Sequence, residues 1–451
     1  MTEDAARHVV PLGEATRTWF GISLQTFGGP AGQIAVMQRT LVDERRWIGE
    51  RRFLHALSYC MMLPGPEAQQ LAIYIGWLLN GWAGGLVAGV LFVLPGVVSL
   101  LALSWVYVAH GDTALVSALF LGLAPAVLAV VVQAVLRLAR RALGHRALVT
   151  IAVAAFVALA VFGLPFPVVV VGAAAAGWGL SRWRPGTLVV APRHADDGSA
   201  PPLIPDDALH RARPSWSRNV LIVVSGVVVW MAPVAGAYLL FGGESVFVDQ
   251  GLFFAGTALV TFGGAYAVLA FVAQRAVEVY GWLAGGEMVR GLALAESTPG
   301  PLIMVVQFVA FLGAYRNPGD LDPWVAGVVG SLLTVWVIFA PSFLFIFLGA
   351  PYVERLRGNV ALSGALTGIT AAVVGVIANL AVYFALHTLF VETTRWTAGP
   401  VQLLVPVWST LSWQSGAIAL VAAVMVFGLR WPVLRTLAAC ALLGVGVGLF
   451  A

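Results

Sequence analysis

Two short peptides stand out for what their main chain could do. Residues 26–30 read TFGGP and residues 63–66 read LPGP. Each sets glycine and proline inside an apolar stretch, where they interrupt a helix. A helix that restarts after such a break exposes unpaired N–H groups and a partial positive charge at its first turn. Glycine ahead of that turn lets an ion come close to the main chain. The chemistry on offer is capture of an anion without a buried cation. Gly28, Gly29, Pro30, Gly65 and Pro66 are the candidate residues, with both prolines at a helix start, where proline is favoured.

The chain repeats the arrangement. Residues 261–264 read TFGG and residues 299–301 read PGP. One offset, 235, relates Gly21 to Gly256, Phe27 to Phe262, Trp47 to Trp282, Pro64 to Pro299, Gly65 to Gly300 and Pro66 to Pro301. Gly263, Gly264, Gly300 and Pro301 therefore join the set, although Ala265 stands where the first copy has Pro30. Paired interruptions in two halves of a membrane chain point to a transporter's binding site. Helix kinking or close packing is the alternative role for such glycines.

Polar side chains accompany the breaks. Glu67, Gln69 and Gln70 follow the first PGP. In the second half Glu296, Ser297 and Thr298 precede PGP, and Gln307 follows it. The amides and hydroxyls would add neutral hydrogen bonds to a bound ion. Ionisable groups at membrane depth are functional candidates by default, so Glu67 and Glu296 are read as coupling or gating groups. Glu67 could instead only complement the helix dipole. His55, on the helix before LPGP, is a further titrating candidate or a structural histidine. Arg39, Arg45, Arg46, Arg51 and Arg52 form either an electropositive vestibule, their forks matched to tetrahedral oxyanions, or a solvated loop with internal ion pairs.

The elements that must position these residues are membrane helices. The chain has 451 residues, 60% hydrophobic and 10% charged, against about 25% charged in a soluble protein. Several apolar runs exceed the roughly 20 residues needed to cross a bilayer. All 25 basic residues are arginine. Without lysine there is no Walker A loop and no Schiff base. Cys60 and Cys440 make neither a disulfide framework nor a metal site, and no catalytic residues, cofactor or nucleic-acid partner is expected. The GVGVG run at 444–448 lies in the last apolar segment and reads as helix packing.

Six apolar segments fill the first repeat, residues 1–180: about 12–42, 53–80, 84–108, 113–137, 147–163 and 166–180. A polar linker (181–218) and one extra span (219–241) follow. The second repeat, 242–451, has segments at about 250–274, 287–314, 324–349, 359–388, 401–427 and 432–450. Past Tyr315 the offset grows to 246, relating Pro95 to Pro341 and Gly122 to Gly368. A single span between two copies inverts the second. The arginine-rich loops 39–52 and 137–146 would be cytoplasmic, and their arginine-poor counterparts, 274–287 and 389–400, outside. Both arginine-rich loops fall on one side if the GGP and PGP segments are re-entrant hairpins; thirteen full crossings is the alternative. The expected fold is an all-α polytopic membrane protein of two inverted repeats, each of about six segments.

The run FGGPAGQIAVMQRTLVDERRWIGERRFLHALSYCMMLPGPEAQQLAIYIGW, with GWLAGGEMVRGLALAESTPGPLIMVVQFVAF in the second half, resembles the chromate ion transporter family. The resemblance covers nearly the whole chain, as a long-chain, two-domain member. It implies a multi-pass protein of the bacterial inner membrane that exports chromate and meets competition from sulfate. It further implies driving by the membrane potential or a proton gradient, and two domains of opposite orientation. Where many members carry an Asn-Ser-Thr run after the first PGP, this chain has Glu67, Ala68 and Gln69, which bears on the substrate. A carrier of sulfate or another oxyanion, and an anion channel, are the alternatives. The partners this reading allows are the oxyanion, a coupling proton, the lipid bilayer and a second copy in a homodimer.

Overall fold

The structure is a computed structural model and describes residues 9–27, 29–183, 202–204, 216–262, 265–349 and 360–450. Gly28, Gly263, Gly264 and most of the 181–218 linker lie outside the described residues. The described chain is almost entirely helical. Five helices are long and apolar enough to cross a membrane: Glu67–His110, Ala114–Ala142, Trp216–Phe241, Pro323–Gly349 and Ala361–Leu389.

Both GGP and PGP segments are broken. The first repeat opens with α1 (Leu12–Ser23) and α2 (Gly29–Gln38), then α3 (Glu50–Cys60) and α4 (Glu67–His110). At 1.5 Å per residue α1 and α3 are each about 16–18 Å long, little more than half of a 30 Å hydrocarbon core. Non-helical dihedrals at Asn80 and Gly81 divide α4 into a half-length piece and a full span. Next come α5 (Ala114–Ala142), α6 (Arg146–Ala160) and α7 (Phe166–Trp183), then the connecting helix α8 (Trp216–Phe241). The second repeat has the same short pieces: α9 (Val246–Val260), α10 (Ala265–Gln274), α11 (Glu287–Ser297) and α12 (Val305–Arg316), the last led by a 3₁₀ turn over Leu302–Met304. The spans α13 (Pro323–Gly349) and α14 (Val360–Leu389) follow, where α14 is longer than its apolar stretch by one residue.

Local hydrogen bonds recur at the offset read from the sequence. Trp47 N–H donates to Leu41 O at 2.8 Å, and Trp282 N–H to Ala276 O at 2.8 Å. Both follow π-helical turns, Arg39–Glu44 and Arg275–Val279. The positive-φ residue that ends each turn is Arg46 (52°) in one copy and Gly281 (63°) in the other.

The sequence reading departs from the structure near the end. The expected segment 401–427 is not one helix. An antiparallel hairpin of β1 (Thr393–Ala398) and β2 (Val401–Pro406) precedes α15 (Trp413–Ala423), and α16 (Val433–Phe450) closes the chain. The run Val401–Pro406 is apolar but carries β-branched residues and a terminal proline, which suit a strand next to Gly399 at φ 59°. With the hairpin set aside, Phe162, Gly163, Leu164 and Pro167 match Phe427, Gly428, Leu429 and Pro432 at a third offset.

The C-terminal helices of the repeats exchange partners. α6 and α7 pack on α14 of the other repeat, and α15 and α16 pack on α5. Small residues allow this close crossing: a Cβ on Gly122 would strike the Cys440 carbonyl, and one on Gly368 the Ala173 carbonyl. Among the described residues, the linker's 202–204 segment touches the first repeat at the 46–49 loop. Leu203 N–H donates to Arg46 O at 3.1 Å, Ile204 N–H to Trp47 O at 3.0 Å, and Gly49 N–H to Ile204 O at 3.1 Å. Ile204 is buried there.

Candidate functional site

The four breaks meet, and they do so by reciprocal hydrogen bonds. Gly65 N–H donates to Thr261 O at 2.8 Å, and Gly300 N–H donates to Thr26 O at 3.0 Å. Thr26 and Thr261 are equivalent at the 235 offset, as are Gly65 and Gly300. Each PGP turn therefore closes on the other repeat's TFGG segment. Gly65 has φ 115° and Gly300 φ 116°, a region that L side chains rarely adopt. Each turn also packs on the proline-containing span of the other repeat. Gly65 faces Ser342, beside Pro341 on α13, and Gly300 faces Gly96, beside Pro95 on α4.

A small cavity lies among the turns. Pro30, Gln33, Gly65, Pro66, Glu67, Ala68, Thr261, Pro301, Leu302 and Ile303 line it. Its volume is about 20 Å³, room for about one water molecule. A tetrahedral oxyanion enters only if the turns part. Pro66 precedes the first turn of α4 and Pro301 that of the 3₁₀ piece leading α12, and neither N-cap has a side-chain hydrogen bond. The first-turn N–H groups of Glu67 and Ala68, and of Leu302 and Ile303, are thus the main-chain donors at this cavity. They are equivalent pairs at the 235 offset.

This moves the donor set one step along the chain. The N–H groups of Gly65 and Gly300 are engaged by the threonine carbonyls and are not open to an ion in this conformation. The glycines shape the turns, and the residues after the prolines carry the first-turn N–H groups that a helix leaves without an intrahelical partner. Gly29 has φ 73° and, with Pro30, starts α2 beside the cavity.

The polar side chains divide. Gln70 donates to Pro64 O at 2.7 Å within its own turn. Buried Oε1 atoms of Gln69 and Gln70, and the Ser342 hydroxyl, have no hydrogen-bond partner among the described residues. Ser297 and Thr298 are not cavity groups: their hydroxyls donate to Leu294 O (2.8 Å) and Ala295 O (3.0 Å), so their protons are already engaged. Glu67 lines the cavity; Glu296 does not. Glu296 is buried and accepts a short hydrogen bond from the Tyr266 hydroxyl, with Arg137 of α5 acting electrostatically on both.

The remaining candidates lie away from the cavity. His55 is half-buried on α3. Arg39 donates to Gln25 Oε1 at 3.0 Å and stands 3.5 Å from Glu44. Arg45 pairs with Glu14 at 2.7 Å and stacks over Trp47. Arg46 and Arg51 are exposed and Arg52 is buried. The loop thus carries internal ion pairs, the solvated alternative, and none of the five arginines lines the cavity.

Gln33 is the residue that motif reading missed. Its Nε2 donates to Gly300 O at 2.6 Å, so a side chain from one repeat holds the PGP turn of the other. The signal was present: Gln33 is an amide one turn after Pro30, in the middle of an otherwise apolar stretch. Gln307 makes a second cross-repeat contact, Nε2 to Val97 O at 3.0 Å.

The chain matches the family described as chromate transporter over residues 13–178 and 248–445, one match in each half. It is similar to a chromate transport protein of Pseudomonas aeruginosa, 33% identical over 363 residues, 78% of this chain and 76% of the relative. It is also similar to a chromate transport protein of Cupriavidus metallidurans, 28% identical over 359 residues, 80% of this chain and 79% of the relative. No solved structure matches the chain.

Proposed function

Because this chain belongs to the chromate transporter family, a family of multi-pass transport proteins rather than enzymes, we propose that it is a secondary transporter exporting chromate across the inner membrane. The observation that carries the reading is the meeting of both PGP turns with Pro30, Gln33 and Thr261 around one cavity. The substrate is held there by the first-turn N–H groups of Glu67, Ala68, Leu302 and Ile303 once the turns part. Gln33, which lines the cavity, keeps a second amide proton beside the one given to Gly300 O as a neutral donor, and sulfate, of the same shape and charge, competes.

The same reading sets the topology. The broken pieces α1–α2 and α3 with the start of α4 are re-entrant hairpins, and the second repeat is inverted. Arginine-rich loops and the linker face the cytoplasm. An interior-negative potential drives a dianion outward with about 4.6 kcal/mol per 100 mV, twice the value for one charge. No nucleotide site is then required. Glu67, which shares the cavity with the anion, carries a coupling proton or gates entry.

The test is accumulation of labelled chromate in everted membrane vesicles bearing the chain. Energised vesicles should fill, excess sulfate should slow filling, and collapsing the membrane potential should stop it. Filling no faster than in vesicles lacking the protein would refute the proposal.

A further inference from the structure

A second, larger cavity lies away from the broken turns. Tyr107, Val108, Gly111, Asp112, Glu287, Leu312, Tyr315 and Arg316 line it, and its volume is about 180 Å³. A compact ionic cluster forms its wall. Arg316 grips Glu287 with both ends of its guanidinium, at 2.7 and 2.8 Å, and donates to Trp282 O at 3.0 Å. Tyr107 donates to Glu287 Oε1 at 3.1 Å, and Arg290 donates to the Tyr107 oxygen at 3.2 Å. Ala284 N–H completes the carboxylate's shell at 2.8 Å. Glu287 is nearly buried, whereas the Arg316 side chain is 43% exposed. One guanidinium, that of Arg316, thus grips the carboxylate directly at the edge of the cavity, and a second, that of Arg290, reaches it through the Tyr107 hydroxyl.

Two elements connect this cluster to the central cavity. On α4, Gly96 lies against Gly300 and Tyr107 lines the second cavity; the separation from Val97 to Tyr107 is about 15 Å along the helix. On the α12 side, Ile303 lines the first cavity and Leu312 the second, about 14 Å apart. The Gln307 amide lies between them and bonds α12 to α4. About 15 Å is half of a bilayer's hydrocarbon thickness, so a central site near the midplane puts the second cavity at the membrane surface. Trp105, Tyr315 and Trp324 pack together there, with ring centroids 5.3 and 4.9 Å apart, and aromatic groups of this kind favour the membrane–water boundary.

We propose that this cavity is a second oxyanion site at the outer mouth of the pathway, with Arg316 and Arg290 as its cations and Glu287 as a built-in competitor. The inference rests on the transport reading above. A guanidinium fork binds a carboxylate and a tetrahedral oxyanion through the same paired N–H groups. An arriving dianion exchanges with Glu287 on the Arg316 fork, and Glu287 retakes the fork when the ion leaves. Tyr107 reports the exchange to Arg290, since its hydroxyl bonds both groups. Glu287 corresponds to Arg52 at the 235 offset, and Arg316 opens the stretch where the offset changes, so the first repeat has no equivalent pair. The site therefore belongs to one face of the protein.

The full-length chain in membrane vesicles of both orientations tests this. Glu287→Gln should lower the half-saturating external chromate about tenfold in right-side-out vesicles. Arg316→Gln should raise it at least tenfold, and Arg290→Gln should raise it less. Half-saturation from the other face, read in everted vesicles, should not change. A binding readout needs no transport: in the unmodified chain, sulfate should protect Arg316 from phenylglyoxal, scored by peptide mass spectrometry. Protection in a chain that moves no chromate would uphold the site and refute the chromate reading. Transport with no protection of Arg316, and with half-saturation unchanged in Glu287→Gln, would overturn the site and leave the transport reading standing.

Discussion

The reciprocal clasp predicts an unequal pair of alanine variants. Gly65 and Gly300 share a φ near 115°, so each alanine carries a similar backbone strain, about 1–3 kcal/mol. Their surroundings differ. A Cβ on Gly65 would approach the Gln70 amide at 2.9 Å and the Ser342 hydroxyl at 3.3 Å, both side-chain ends that can swing away. A Cβ on Gly300 would approach the Gly96 Cα at 3.1 Å, a main-chain atom of a long helix that cannot. Displacing that span adds overpacking of about 1–3 kcal/mol. It also stretches the Gly300–Thr26 bond, worth about 1 kcal/mol. The expectation is a loss of about 2 kcal/mol for Gly65→Ala and about 4 kcal/mol for Gly300→Ala. The assay is thermal unfolding of the detergent-solubilised chain, with chromate accumulation measured in parallel. Gly300→Ala should unfold at the lower temperature, and Ser342→Gly should recover part of the loss in Gly65→Ala only. Equal losses, or rescue of both variants by Ser342→Gly, would refute the packing argument.

Further outcomes follow from the same geometry. Gln33→Leu removes the donor to Gly300 O and leaves a buried carbonyl unpaired, a loss of about 1–3 kcal/mol, and chromate accumulation should fall more than tenfold. Glu67→Gln should abolish the dependence of transport on a proton gradient while the protein still inserts; unchanged coupling would exclude Glu67 as the carrier. Cysteine at Asp43 should react with an impermeant thiol reagent only from the cytoplasm, and cysteine at Glu278 only from outside. The native Cys60 and Cys440 are both buried and should give little background; reaction of both new thiols from one side would exclude the inverted repeat. Ile204→Asp should free the linker from the 46–49 loop, which limited proteolysis would detect as faster cleavage near residue 204.

The repeat and the breaks were legible because glycine and proline leave a mark that apolar drift does not erase. Only glycine sits without strain at φ 115°, so Gly65 and Gly300 stand at matched positions, flanked in both copies by proline. The hairpin at 393–406 was not legible. An apolar run of strand length looks the same as the start of a helix until its partner is known, and it hid the matched Phe-Gly-Leu peptides behind a shifted register. The cross-repeat role of Gln33 was hidden for a different reason. Its acceptor is 267 residues away, and no local pattern records which carbonyl an amide side chain will meet. Ser297 and Thr298 misled because a hydroxyl near a helix end donates to its own helix as readily as to a ligand.

The symmetry of the site is a symmetry of main chain, and its chemistry is not symmetric. Thr26 and Thr261, Gly65 and Gly300, and the first-turn N–H groups after each proline obey the 235 offset. The polar side chains do not: Gln33 corresponds to Val268, Gln70 to Val305, Glu67 to Leu302, Tyr266 to Ala31 and Glu296 to Met61. A clasp built from peptide groups tolerates this divergence, because its hydrogen bonds depend on backbone shape alone. Side chains that break the symmetry then make the two faces unequal. Glu67 stands at the cavity on one side of the clasp, while Glu296 is held away from it by Tyr266 on the other. Two identical repeats would offer an ion the same environment from either direction. The paired turns repeat one main-chain shape in both halves, while Glu67 at the cavity and Glu287 on the Arg316 fork have no counterpart carboxylate in the other repeat, where Leu302 and Arg52 stand.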